Sequence, residues 1–174
     1  MSGSGKFELN QEVEKMMEHV KGPIGVVAVA GMYRTGKSYL LNRLLLNRKR
    51  GFNVGPTINP CTKGIWIWGT PLKSFTSTGE PCSVLIVDSE GIGGLDEDNN
   101  HDMRIFSLAL LLSSYFIYNS MAQIDENALS NLSLVVNLTK HIQTQAGAGL
   151  DQESGADLDA YLPTFMWVVR DFAL

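Results

Sequence analysis

Eight consecutive residues near the start of the chain have the types and spacing that bind phosphate. The string Gly31-Met32-Tyr33-Arg34-Thr35-Gly36-Lys37-Ser38 fits the pattern G-x-x-x-x-G-K-[ST]. The glycines let backbone N–H groups turn inward around phosphate oxygens, and the N-terminus of a following helix adds its positive dipole. Lys37 is then expected to reach the β- and γ-phosphates, and the Ser38 hydroxyl to ligate Mg²⁺. The alternative interpretation is a tight strand-to-helix turn with an incidental Lys and Ser.

A second motif supplies the carboxylate that such a site requires. Asp88-Ser89-Glu90-Gly91 fits D-x-x-G and directly follows a β-branched run. Asp88 is expected to hold the hydration shell of Mg²⁺, and the Gly91 N–H to meet the γ-phosphate. Thr62 is the candidate switch threonine, which would ligate Mg²⁺ and contact the γ-phosphate. The alternative for D-x-x-G is an ordinary turn, and the alternative for Thr62 is an ordinary threonine at a strand edge. The position of D-x-x-G on the next core strand after residues 31–38, the P-loop, favours the functional interpretation of that motif.

These residues need a sheet whose strands end at a common edge. Apolar runs predict strands over 25–30, 64–68, 83–87, 115–118 and 165–169. The strands over 64–68 and 83–87 are expected to pair antiparallel. Helical spacing predicts helices over 7–20, 39–47, 101–112 and 129–141. This alternation predicts an α/β fold of the P-loop NTPase type, with a mostly parallel sheet and helices on both faces.

Composition excludes several classes of protein. The 174 residues fit one domain, which we expect over 23–174, after a lead-in over 1–22 made of a flexible, tag-like start and a short helix. The net charge of −4 predicts no nucleic-acid partner. The two cysteines are too few for a disulfide framework, which predicts a reduced, cytoplasmic protein. The longest apolar run, 105–118, is too short to span a bilayer, so no membrane contact is expected from this chain.

Together the motifs resemble the large GTPase domain of the guanylate-binding protein family, within the dynamin-like superfamily. The resemblance is carried by GMYRTGKSYLLNRLL, CTKGIWIW, DSEGIGG, LALLLSSYFIYNS and VVRDF, and it extends from Gly25 to Phe172. The residues Tyr33, Arg34 and Thr35, at variable positions of the P-loop motif, are specific to that family. The resemblance implies a Ras-like sheet and hydrolysis of GTP to GDP, or further to GMP, with Mg²⁺ as cofactor.

The resemblance also assigns roles to single residues. Arg34 would be an arginine finger supplied in cis and aligned when two GTPase domains form a homodimer. Arg170 and Asp171 would read guanine in place of the absent N-K-x-D, because a carboxylate can accept from guanine N1–H and the exocyclic amine. By sequence alone this pair could equally be a surface ion pair. Tyr39 is a further candidate for nucleotide binding beside the P-loop residues. The candidates for catalysis are Arg34, Lys37, Thr62 and, on its chemistry alone, Glu90.

Two departures from the family pattern, at Pro60 and at the end of the chain, limit this assignment, and a Ras-type glutamine does not replace the missing serine. Pro60 stands where the family has a switch serine, and proline has neither a hydroxyl nor a backbone N–H to orient water. Ile92 follows D-x-x-G, so the water-orienting glutamine of Ras-type enzymes is absent. Hydrolysis could then be slow, could use Glu90 or the Cys61 backbone, or could stop at GDP. The chain also ends just past the guanine strand, so we expect a GTPase domain that is incomplete at its C-terminal end.

Two other functions remain open at this point. The first is a nucleotide-dependent assembly module with negligible catalysis, which Pro60 favours. The second is a P-loop ATPase or kinase, which the candidate guanine carboxylate Asp171 disfavours.

Overall fold

The computed structural model describes residues 7–54, 62–93, 99–122, 126, 129–130, 132–133 and 162–171. Within these ranges six strands form one sheet. They are β1 (Ile24–Ala30), β2 (Ile65–Ile67), β3 (Leu72–Phe75), β4 (Pro81–Ser89), β5 (Tyr115–Met121) and β6 (Thr164–Arg170). The helices are α1 (Gln11–Glu18), α2 (Lys37–Leu40), its π-helical continuation (Leu41–Leu45) and α3 (Asn99–Leu112).

The sheet is mostly parallel, as the sequence predicts. Its strand order is β2-β4-β1-β5-β6, and β3 also pairs with β4. The strands β1, β4, β5 and β6 run parallel to one another, whereas β2 and β3 are antiparallel to β4. The parallel strands therefore end at one edge of the sheet, where ligands of open α/β sheets bind.

Alternation along the central strands builds a hydrophobic core on each face of the sheet. On one face Ala28 and Val87 pack with Phe106 and Ala109 of α3. On the other face Val29 and Ile86 pack with residues of the π-helical turn, the adjoining Leu46 and the more distant Phe52. Because neighbouring residues of a strand point to opposite faces, one apolar run serves both cores. The prediction of helices on both faces is confirmed.

Two local features differ from the prediction. The connection between the predicted strands over 64–68 and 83–87 contains β3, which pairs with β4 from Leu72 opposite Val84 to Phe75 opposite Pro81. The predicted helix over 39–47 begins at Lys37 and widens to a π-helical turn from Leu41 onward. Buried Asn42 in this turn bonds both backbone groups of Phe52, at 2.9 Å and 2.8 Å. That contact joins residues ten apart in the chain, and helical periodicity cannot show it.

Other expectations concern the ends of elements or parts of the chain that are not described. The predicted helix over 7–20 is observed only as α1. Of the predicted helix over 129–141, residues 129–130 and 132–133 are described and are helical. Pro60, Cys61 and Phe172 lie outside the described residues. No helix among the described residues is long and apolar enough to cross a membrane. The division into 1–22 and 23–174 stays a prediction.

Candidate phosphate-binding site

The P-loop leaves the end of β1 and curls tightly before α2. Gly31 has a φ of 143° and Gly36 a φ of 81°, which side chains other than hydrogen rarely allow. A Cβ on Gly31 would collide with the backbone carbonyl of Asn119, and one on Gly36 would collide with the Arg170 guanidinium. Backbone conformation therefore requires both glycines, and the Asn119 backbone also leaves no space for a side chain at Gly31, which agrees with the predicted cradle.

Lys37 lies beneath this loop, at the first position of α2. Its side chain is buried, and Nζ donates to the Met32 carbonyl at 3.0 Å. The Thr35 hydroxyl donates to the same carbonyl at 2.9 Å. Burial lowers the pKa of Lys37 to about 8, and the nearby carboxylates of Asp88 and Glu90 oppose this shift. The structure thus places a cation inside the loop, where phosphate oxygens would stabilise its charge.

Ser38, Thr62 and Asp88 converge at the expected metal position. Asp88 Oδ2 accepts from the Ser38 hydroxyl at 2.6 Å and from the Thr62 hydroxyl at 3.3 Å. Asp88 is fully buried at the end of β4, and its Oδ1 has no hydrogen-bond partner among the described residues. Burial raises the pKa of Asp88, while the bonds from Ser38 and Thr62 and the charge of Lys37 oppose this shift.

This donor set fits Mg²⁺. The ion prefers hard oxygen ligands and usually binds through one or two protein groups together with water and substrate phosphates. An unpartnered carboxylate oxygen beside two hydroxyls supplies such ligands, and a bound cation would offset the cost of burying the Asp88 carboxylate. No cluster of three or more His, Cys, Asp or Glu side chains suited to a metal ion occurs among the residues described. Ser38, Thr62 and Asp88 are therefore the candidate ligands, with Asp88 acting through water.

The D-x-x-G residues and the two that follow them (88–93, called the D-x-x-G segment from here on) are joined to the P-loop by backbone hydrogen bonds. Tyr33 N–H donates to the Ile92 carbonyl at 2.9 Å, and Ile92 N–H donates to the Gly31 carbonyl at 3.1 Å. Gly91 lies against Tyr33 so closely that a Cβ would collide with the Tyr33 backbone. The structure thus brings the two predicted phosphate-binding segments side by side.

Glu90 is held at the centre of this arrangement. It is buried, and its Oε2 accepts from the Gly64 N–H at 2.6 Å. His101 Nε2 lies 3.2 Å from the same oxygen. The Glu90 Oε1 atom is buried and has no hydrogen-bond partner within the described ranges. A buried carboxylate oxygen of this kind can accept a hydrogen bond from water.

The remaining predicted residues lie around the rim of the loop. Arg34 is exposed and has a φ of 61°, the left-handed region. Tyr39 is exposed on α2, with the Arg43 guanidinium 5.4 Å from its ring centre. Arg170 Nη1 donates to the Thr35 carbonyl at 2.9 Å, so the end of β6 contacts the P-loop. Asp171 follows it, exposed and with a φ of 53°. The roles assigned to these four residues stay predictions.

Sequence reasoning missed three residues that contact the site. Asn119 Nδ2 donates to the Thr35 carbonyl at 2.8 Å, and Asp102 Oδ2 accepts from the Gly93 N–H at 2.6 Å. His101, described above, is the third. Asn119 carried a signal, because a polar residue at the carboxyl end of a buried apolar strand faces the edge where the P-loop lies. His101 and Asp102 carried none, since polar residues in the first turn of a helix are ordinary.

Comparison with known proteins places this geometry in a family. A family model described as the guanylate-binding protein, N-terminal domain, matches residues 4–174. Guanylate-binding protein 1 of Chlorocebus aethiops is 41% identical over 174 residues, covering 98% of the chain and 28% of that relative. Guanylate-binding protein 2 of Homo sapiens is 40% identical over 172 residues, covering 98% of the chain and 28% of the relative. Guanylate-binding protein 3 of Mus musculus is 41% identical over 171 residues, covering 97% and 27%. The chain spans less than a third of the length of these relatives.

Proposed function

This chain belongs to the guanylate-binding protein family, and from that premise we propose that it binds GTP with Mg²⁺ and hydrolyses the γ-phosphate bond. The observation that carries the proposal is the convergence of four side chains at one edge of the sheet. Lys37, Ser38, Thr62 and Asp88 come from three separate segments and meet within hydrogen-bonding or charge-interaction distance. One ammonium, two hydroxyls and one carboxylate are the groups that binding of a triphosphate with a divalent cation requires.

The P-loop and its lysine bind and orient the phosphates. Backbone N–H groups between Gly31 and Ser38 face the oxygens, and Lys37 supplies a charge at the β- and γ-phosphates. Ser38, Thr62 and Asp88 would hold Mg²⁺, whose charge would stabilise the negative charge that develops during transfer. The Gly91 N–H lies beside the loop, where it would contact the γ-phosphate and respond to its loss.

Hydrolysis requires a positioned water and a cation near the transferred group. We assign the first role to Glu90, whose Oε2 is fixed by Gly64 while its buried Oε1 remains an available acceptor among the described residues. Pro60 offers no donor for this role. Arg34, exposed on the rim of the loop, would supply the cation once a second GTPase domain covers it. We accordingly propose that the protein forms a homodimer through this domain. We also propose, from its low number of cysteines, that it acts in the cytoplasm.

Base selection is proposed for Asp171, with Arg170 beside it. The contact between Arg170 and the Thr35 carbonyl supports this assignment, because it places the end of β6 next to the P-loop. A nucleotide seated on the loop would extend its base toward that strand end. An Asp171 carboxylate there can accept from guanine N1–H and its amine, which adenine cannot satisfy.

The first experiment measures binding of GTP and of ATP by calorimetry in the presence of MgCl₂, followed by phosphate release at saturating GTP. The parent chain should prefer GTP and release phosphate. Lys37→Ala should weaken GTP binding by roughly a hundredfold, because charge-assisted bonds in a buried site are lost. Lys49→Ala removes the same charge from an exposed position outside the motif and should leave affinity unchanged.

Each result of this experiment discriminates between functions. Equal affinity for ATP and GTP would contradict guanine recognition, and an unaffected Lys37→Ala variant would contradict the phosphate site. GTP binding without phosphate release would instead support the nucleotide-dependent assembly module that Pro60 favours.

A second experiment addresses the base. Asp171→Asn places an N–H₂ donor where guanine needs an acceptor, so GTP affinity should fall by about 1–3 kcal/mol. Xanthine has a carbonyl in place of the amine and can accept from the new amide. The affinity for xanthosine triphosphate divided by that for GTP should therefore be higher in the variant than in the parent chain. Competition titrations of both nucleotides measure this ratio, and an unchanged ratio would remove Asp171 from base recognition.

A further inference from the structure

The carbonyl of Thr35 accepts two side-chain hydrogen bonds from outside the P-loop. Asn119 Nδ2 donates to it at 2.8 Å from the carboxyl-end part of β5, and Arg170 Nη1 at 2.9 Å from the end of β6. Asn119 is fully buried, whereas Arg170 is half-buried. Two donors on one backbone oxygen fix the direction of that peptide group.

The direction of this carbonyl determines where the next amide points. In a trans peptide the C=O of Thr35 and the N–H of Gly36 lie in one plane and point in opposite directions. Because the carbonyl is turned toward β5 and β6, the Gly36 N–H is turned away from them. Gly36 opens α2 as its N-cap residue, and an N–H at this position belongs to the amides that hold phosphate oxygens.

We infer that Asn119 is a positioning residue of the phosphate site, holding the Thr35 peptide so that the Gly36 N–H faces bound phosphate. The inference rests on the proposed function, since it concerns how the same loop is prepared for the nucleotide. The hydrogen bond of the Asn119 side chain goes to the backbone of the P-loop, so Asn119 acts through that backbone.

Contacts of Asn119 with both ends of the loop support this role. Its backbone carbonyl lies against Gly31, where a Cβ would collide with it, and its side chain reaches Thr35. The Asn119 Oδ1 atom is buried without a hydrogen-bond partner among the described residues. Burying an amide with one half unpaired costs free energy, and an apolar residue of similar volume would avoid that cost. The described bond that offsets this cost is the one to the P-loop.

The test compares Asn119→Leu and Asn119→Asp with Ser120→Ala in the complete 174-residue chain. Both Asn119 variants keep the number and branching of the side-chain heavy atoms and remove the Nδ2–H donor. Ser120 is the matched control, because it is also buried on β5 and its Oγ accepts from Trp167 Nε1 at 2.9 Å, away from the loop. The measurements are GDP affinity with MgCl₂ and the chemical shift of the Gly36 amide proton in ¹⁵N-labelled protein, with and without GDP.

Both Asn119 variants should bind GDP about tenfold more weakly, because a Gly36 N–H that is no longer aimed at the phosphate loses about one hydrogen bond to it. Their Gly36 amide proton should move downfield on GDP binding by less than in the parent chain. Ser120→Ala should keep the parent's affinity and the parent's Gly36 shift, even where it lowers the melting temperature.

Several results would overturn the inference. One is that the Asn119 variants keep the GDP affinity and the Gly36 shift of the parent chain. Another is that Ser120→Ala loses as much GDP affinity as the Asn119 variants do. Failure of both Asn119 variants to fold while Ser120→Ala folds would also overturn it, because Asn119 would then support the sheet as a whole. A parent chain that binds no GDP would instead overturn the proposed function, which separates the two failures.

Discussion

Lys37 shows how burial prepares a single residue for the phosphate that we propose it binds. Its ammonium has lost most of its contact with water, and this loss lowers its pKa from 10.5 to about 8. Within the described parts of the chain, the partners of that charge are the Met32 carbonyl and the carboxylates of Asp88 and Glu90. Phosphate oxygens would favour the charged form further. Affinity for the nucleotide and protonation of Lys37 are therefore coupled.

This coupling predicts that GTP affinity falls as pH rises above about 8, the pKa of Lys37 in the nucleotide-free chain. Above that pH binding must take up a proton, so affinity should fall by up to roughly tenfold per pH unit. Calorimetry between about pH 7 and about pH 9, in two buffers of different ionisation enthalpy, measures both the affinity and the proton uptake. The Lys49→Ala variant should show the same pH dependence as the parent. Affinity that stays constant through this range, with no proton uptake, would contradict the coupling.

The same shift has an opposite consequence for the stability of the nucleotide-free chain. Between about pH 8 and 10.5 the unfolded chain keeps the Lys37 proton that the folded chain has lost. The contribution of this group to the free energy of unfolding therefore rises with pH across that window and is constant below it.

At the scale of the elements, α3 links the hydrophobic core to the D-x-x-G segment. Asp102 in its first turn accepts from the Gly93 N–H, while Phe106 in its middle is fully buried. The ring of Phe106 meets those of Phe116 and Tyr118 edge-on, with centroids 5.5 Å and 6.0 Å away. Packing of α3 on the sheet therefore also fixes the segment that follows Asp88.

Phe106→Ala should lower the free energy of unfolding by about 3–5 kcal/mol, because it removes a buried ring and leaves a cavity between α3 and β5. Urea denaturation followed by circular dichroism measures this loss. Leu112→Ala on the same helix is the control, since Leu112 is 51% exposed and its truncation should change stability by less than about 0.5 kcal/mol. Similar losses in the two variants would show that α3 does not form the core contact described here.

At the scale of the whole molecule, the rim of the P-loop is the surface that we propose for self-association. Arg34 is exposed there, together with two large side chains, Met32 at 42% and Tyr39 at 46% exposure. An exposed cation beside apolar side chains is typical of a surface that a partner covers. Because the P-loop and the D-x-x-G segment are bonded to each other, a change at the γ-phosphate would reach this rim.

We therefore predict that the oligomeric state of the protein, measured as its mass in solution, depends on the bound nucleotide. Sedimentation should give a larger mass with a non-hydrolysable GTP analogue than with GDP or without nucleotide. Arg34→Ala should keep GTP affinity within several-fold, but it should lower turnover at concentrations where the parent dimerises, by up to about 10³-fold. The Lys37→Ala variant is the control: because it is expected to bind GTP poorly, its mass should be the same with and without nucleotide. One mass under all nucleotide conditions would contradict nucleotide-dependent dimerisation.

The sequence alone determined the P-loop, the D-x-x-G segment and the central strands, because each depends on residues that are neighbours in the chain. The glycine spacing of 31–38 and the apolar runs that became β1, β4, β5 and β6 are local patterns of this kind. The same patterns gave no sign of β3, whose pairing with β4 offsets a weakly apolar sequence.

Only the tertiary structure decided which distant side chains meet at the candidate phosphate site. Ser38 and Asp88 are 50 residues apart, and Asn119 and Thr35 are 84 apart. Their contacts depend on the register of parallel strands, which sets Val29 beside Asp88 and Ala30 beside Tyr118. Register follows from packing of both sheet faces at once, and a pattern within one strand contains no information about its neighbour's alignment.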